Sequence, residues 1–143
     1  MKNLQMFLIT LSMALLSGYA LAQETAVEGT VLLPADAAPL PANSWIALKI
    51  ENPMGGTAPL AEKLVALPEG FTGPYKYRFE KVQLSEVDTA LVSAVVNVGW
   101  RPSSDGEGGW IRRGDFITEP HVQLPLPPAD STITAPDLHS TKY

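Results

Sequence analysis

Along most of this chain apolar residues recur at every second position, the spacing of a strand with one buried face. "TAVEGTVLL" sets Val27, Gly29, Val31 and Leu33 on one side. "SWIALKIE" turns Ile46, Leu48 and Ile50 inward and Lys49 outward, and "PLPAN" ahead of it supplies a turn. "GPYKYRFEKV" alternates Tyr75, Tyr77 and Phe79 with Lys76, Arg78 and Glu80, the clearest half-buried strand in the sequence. "LVSAVVNVGW" puts Val92, Ala94, Val96 and Val98 on one face, Ser93 and Asn97 on the other. "APLAEKLVAL" is composed of helix formers, but its length between Pro59 and "PEG" suits a strand from Leu60 to Leu67 as well, and its neighbours tip the reading to strand. "WIRRGDFITEPH" and "VQLPL" complete the series.

Short runs at intervals of roughly ten residues, with turn signals between them and no long helical pattern, predict an all-β fold: a single β-sandwich of about seven short, mostly antiparallel strands. The thirteen prolines fall almost wholly between the runs, as expected of a residue excluded from central strands.

The two ends read differently. "MKNLQMFLITLSMALLSGYALA" has Lys2, an apolar run from about Met6 to Leu16, and Ala20-Leu21-Ala22 before Gln23, the layout of a secretory signal peptide over residues 1–22. Its apolar run is shorter than the roughly 20 residues that span a bilayer. The expected product is a periplasmic domain over 23–126 without a membrane span. "PLPPADSTITAPDLHSTKY" is rich in Pro, Ser and Thr, and residues 127–143 are expected to form an extended or disordered tail.

Composition narrows the chemistry. Without cysteine there are no disulfides and no thiol for a lipid anchor, so stability must come from the core. The formal charge is −5, and it becomes −6 when Lys2 leaves with the signal. The basic residues form no stripe, which argues against nucleic acid as a partner. No cofactor or metal is expected: zinc and copper sites draw on cysteine and histidine, and only His121 and His139 are present. A Ser93–His121–Asp115 arrangement lacks a nucleophile elbow, so the chain reads as a non-enzyme.

The one unusual stretch is "GWRPSSDGEGGWIRRGD", Gly99 to Asp115, with five glycines, two tryptophans and three arginines. Asp105-Gly106 and Gly108-Gly109 supply turn positions, so it reads as a long flexible loop joining two antiparallel strands. Ser103, Ser104, Asp105 and Glu107 offer too few oxygens for calcium. Arg113-Gly114-Asp115 matches an integrin ligand only as a chance tripeptide. Trp and Arg are enriched at binding surfaces, and Trp100, Trp110, Arg112 and Trp45 are the candidate binding residues, with core packing the competing role for Trp45.

With its strands in order, the sequence is similar to the YbaY/YscW family of bacterial envelope proteins, whose members include pilotin-type lipoprotein chaperones of type III secretion. The residues that carry the resemblance are Val27, Gly29, Val31, Leu40, Pro41, Ile46, Leu48, Ile50, Leu60, Ala61, Pro74, Phe79, Val92, Ser93 and Ala94. Two features depart from the family: there is no cysteine to carry a lipid, and Asn52 with "PMGGTAP" replaces an aspartate and an "S-x-A-D-A" segment. The resemblance implies a compact β-sandwich with a binding or chaperone-like role and an envelope or secretion-system protein as partner. A small-molecule or glycan-binding module that uses the loop's aromatic residues is the alternative.

Overall fold

The computed structural model describes residues 24–56, 58–84, 87–118, 122–124 and 132–143. The expected signal peptide, residues 1–22, and His121 lie outside the described residues. The structure is all-β, as expected, with nine strands and no helix among the described residues. They are β1 (Glu24–Leu32), β2 (Ser44–Glu51), β3 (Ala61–Leu67), β4 (Tyr75–Gln83), β5 (Leu91–Asn97), β6 (Phe116–Thr118), β7 (Val122–Gln123), β8 (Ile133–Thr134) and β9 (Leu138–Lys142).

The strands form one continuous path, β3-β2-β5-β6-β9-β1-β4, curled so that its inner faces share a core. Short β7 and β8 pair with β5 and β1. Pairing is antiparallel except where β8 and β9 run parallel to β1. Register follows the alternation. Ile46, Leu48 and Ile50 of β2 are fully buried beside Val92, Ala94 and Val96 of β5, while Trp45, Ala47 and Lys49 face outward. A slip of one residue would turn all of these inside out, so the buried face holds the register. Each of the larger apolar side chains contributes about 1.5–3 kcal/mol on burial. The segment that composition left between helix and strand is β3, paired with β2 along its whole length. Sheet pairing overrides the helix preference of its Ala, Glu, Lys and Leu.

At two places the structure corrects the sequence reading. The extended or disordered tail expected over residues 127–143 is structural in its last part. β9 pairs with β6 on one side and β1 on the other, and Leu138 is fully buried. Its apolar content is low because a five-residue strand needs only a few inward positions, Leu138 and Ser140. Ser140 Oγ donates to the Leu32 carbonyl at 2.7 Å. Asn97, expected on the outer polar face with Ser93, is also fully buried, because the following loop folds back over it.

Candidate functional site

The loop between β5 and β6 is built from tight turns. Gly106 N–H donates to the Ser103 carbonyl, Gly109 N–H to Gly106 and Asp115 N–H to Arg112, at 3.0–3.1 Å. Gly106, Gly108, Gly109 and Gly114 all have positive φ, so glycine carries the reversals at little cost. Asp105 Oδ1 accepts from Ser103 Oγ at 2.5 Å and from Glu107 N–H at 2.9 Å. These two hydrogen bonds, the hydroxyl first, hold its carboxyl below the usual range. The oxygens weighed for calcium are thus partly spent on closing a turn.

The loop is not a flexible connector. Its last residue, Asp115, is 1% exposed and gathers four donors: Asn97 Nδ2 at 3.2 Å, Val98 N–H at 2.9 Å, Trp100 Nε1 at 3.0 Å and Arg112 N–H at 2.8 Å. Asn97 Nδ2 also donates to the Trp110 carbonyl at 2.8 Å. One buried carboxylate therefore ties the loop's start to its end. The end of β9 is pinned there too, by Gly114 N–H on the Tyr143 carbonyl at 2.9 Å and Tyr143 N–H on the Asp115 carbonyl at 2.8 Å. A buried carboxylate persists only when its lone pairs are used, and here neutral donors use them. The Arg-Gly-Asp tripeptide is thus a structural turn with its aspartate inside.

The candidate binding residues divide. Trp100 donates to Asp115 and lies under Arg112, whose guanidinium carbon is 3.8 Å from the ring centre. Trp45 is half-buried on the outer face of β2, with Arg101 over its ring at 4.5 Å and its Nε1 donating to Asn43 Oδ1 at 3.0 Å. Trp110, at 36% exposure, is the most open of the three, and Lys49 Nζ lies 5.1 Å from its centre. Each tryptophan is thus paired with a cation. Bare ring faces on which a planar sugar could stack are correspondingly reduced.

Trp110 stands between two hollows on the outer face of the β2–β5 sheet. One, of about 240 Å³, is bounded by Ala47, Lys49, Leu64 and Ser104; the other, of about 180 Å³, by Glu51, Ser93, Val95 and Ile111. Ile111 beside it is 40% exposed. A third hollow, about 370 Å³, lies against Pro39, Leu40, Val98 and Phe116, with Asp36 and Lys142 as its charged residues. Sequence reasoning missed Asp115 and Asn97 as the hub, and Lys49 and Ile111 as neighbours of Trp110. A clue to Asp115 was present: a lone acid directly before the apolar run "FIT" sits where burial begins.

No family model matches the chain and no curated protein matches it. Among solved structures it is similar in fold to an alternative pilotin from the type II secretion system of Vibrio cholerae, at 18% identity and a TM-score of 0.55, over 82% of this chain and 97% of that one.

Proposed function

We propose that this chain is an exported, periplasmic, non-enzymatic protein of the YbaY/YscW type, which binds a segment of another envelope or secretion-system protein in a chaperone-like way. The carrying observation is that Trp110 and Ile111 are exposed on a loop that Asp115 holds rigid. An exposed aromatic and aliphatic pair on a pre-organised support loses little entropy on binding and makes an effective anchor. The hollows on either side of Trp110 suit apolar side chains of a partner, and Lys49 adds charge at the rim of both. Trp100 and Trp45 act at one remove, by shaping the loop and the sheet face under it. The likeness in fold to a pilotin supports a secretion-system protein as the partner class.

A photo-crosslinking residue at Ile111 in the processed chain, exposed to envelope extract, tests this reading. One protein captured reproducibly, and lost in Trp110→Ala while the far-ultraviolet spectrum is unchanged, supports it. Capture that is indifferent to Trp110→Ala removes the loop as the binding surface.

A further inference from the structure

The strand path ends at β3 and β4, and neither end strand has a second partner among the described residues. These two ends face each other. Lys63 of β3 crosses between them and donates its ammonium to the backbone carbonyl of Arg78 in β4, and its Nζ lies 5.3 Å from the centre of the Phe79 ring. A four-carbon stem plus one hydrogen bond reaches about 9 Å. That reach is an upper limit on the gap, slightly under the two strand spacings of roughly 9.6 Å that an inserted strand needs, so the seam must widen a little to take one.

We infer that this seam receives an extended, acidic segment of the protein partner as an added strand, with Lys63 holding the place while the seam is empty. The inference rests on the reading that the chain binds a protein segment; Glu62 and Lys63 line the same hollow as Trp110, so the seam adjoins that surface, but it binds through the backbone of β3 and β4 and not through the indole. Arg78's carbonyl faces the seam, and in an antiparallel strand the N–H and C=O of one residue point the same way on alternate residues. Lys76, Arg78 and Glu80 therefore present backbone donors and acceptors to the seam. A strand added at an ordinary edge gains one ladder of hydrogen bonds, but a strand entering here gains one on each side. Beyond Glu80 the way is closed by a bulge. The β1–β4 register shifts between Thr25 and Val27, and Lys81 sits at φ 54°.

Charge selects the occupant. The seam strands carry Glu62 and Lys63 on β3, and Lys76, Arg78, Glu80 and Lys81 on β4. Arg78 is paired with Glu28 and Glu80, at 2.7 and 2.6 Å. Lys63 and Lys76, the seam lysines ahead of the bulge, have no carboxylate within 4.0 Å among the described residues. In a chain of net charge −5 this is a local excess of unpaired ammonium groups. When a strand enters, its amide takes the Arg78 carbonyl and Lys63 is released to a carboxylate on the strand. Edge lysines, an inward-pointing charge and a bulge also deter pairing between copies of a chain, so the same devices exclude the wrong strand and admit an acidic one.

The test uses the full processed chain and three synthetic eight-residue peptides: one alternating valine with glutamate, one alternating valine with lysine, and the glutamate peptide with a central proline. The expected result is that the glutamate peptide slows hydrogen exchange at the Lys76, Arg78 and Glu80 amides by on the order of tenfold or more, and the other two do not. Lys63→Glu, an exposed position, should invert the preference between the glutamate and lysine peptides. Unchanged exchange at the three amides, or binding indifferent to peptide charge and to proline, overturns the inference. If those amides fail to respond while Trp110→Ala still abolishes partner capture, the seam is excluded and Trp110 stands as the binding surface. If the seam responds while capture is indifferent to Trp110→Ala, the seam stands and Trp110 is excluded.

Discussion

The indole N–H of Trp100 points at the Asp115 carboxylate, 3.0 Å from each oxygen. Fifteen residues of chain separate the two, and the contact brings both ends of the glycine-rich loop to one buried point. Asp115→Ala strands the Val98, Arg112 and Trp100 donors in a part-buried site. It should cost about 3 kcal/mol, read as a lower urea midpoint with an unchanged slope. Asp115→Asn keeps one acceptor oxygen but puts an NH2 donor in place of the other, and should recover only part of the loss. Equal stability of Asp115→Ala and the parent would mean that the carboxylate does not hold the loop.

Tyr77 lies across Gly29, its partner in the β1–β4 register. A Cβ at position 29 would sit 2.5 Å from the Tyr77 hydroxyl, so Gly29→Ala should destabilise by about 1–3 kcal/mol. The hydroxyl itself is buried without a hydrogen-bond partner among the described residues. Tyr77→Phe is therefore expected to be neutral, or stabilising by up to about 1 kcal/mol, in denaturant titrations.

The same hydroxyl gives a pH dependence. Burial, and then the negative charge of Asp137, push the Tyr77 phenol from 10.0 up to about 12. A raised folded-state value means that the stability contribution is fully present below pH 10 and is lost as pH climbs toward 12. The difference in unfolding free energy between the parent and Tyr77→Phe should hold constant to about pH 10 and then move against the parent. A flat difference through pH 12 would mean that the phenol is open to solvent.

Leu138 tests the closing strand. Leu138→Ala should cost about 2–5 kcal/mol, as for any buried leucine, whereas a truly appended tail would show no change in thermal midpoint. Trp110→Ala is the counterpart at the surface. Losing its contact with Lys49 should cost less than about 1 kcal/mol, so a folded variant serves for binding assays.

The strands with strict alternation could be read in advance, because one buried face forces every second residue to be apolar. Ile46, Leu48 and Ile50 are the clearest case, and all three are fully buried. β9 was not legible. It sits between β6 and β1, and backbone pairing on both sides supplies what a short, polar strand lacks in side chains. The candidate site was only partly legible: tryptophan and arginine mark a surface by their chemistry, but nothing local shows that Asp115 turns inward.

The amino-acid order alone decided that this is an all-β protein and which residues line most of its interior, since the period of a strand is a local property. Tertiary structure decided which strands become neighbours, that β9 joins β6 to β1, and that the two end strands of the described path meet across Lys63. Those outcomes depend on contacts between residues far apart in sequence, where hydrogen-bonding groups find partners only once the sheet has curled.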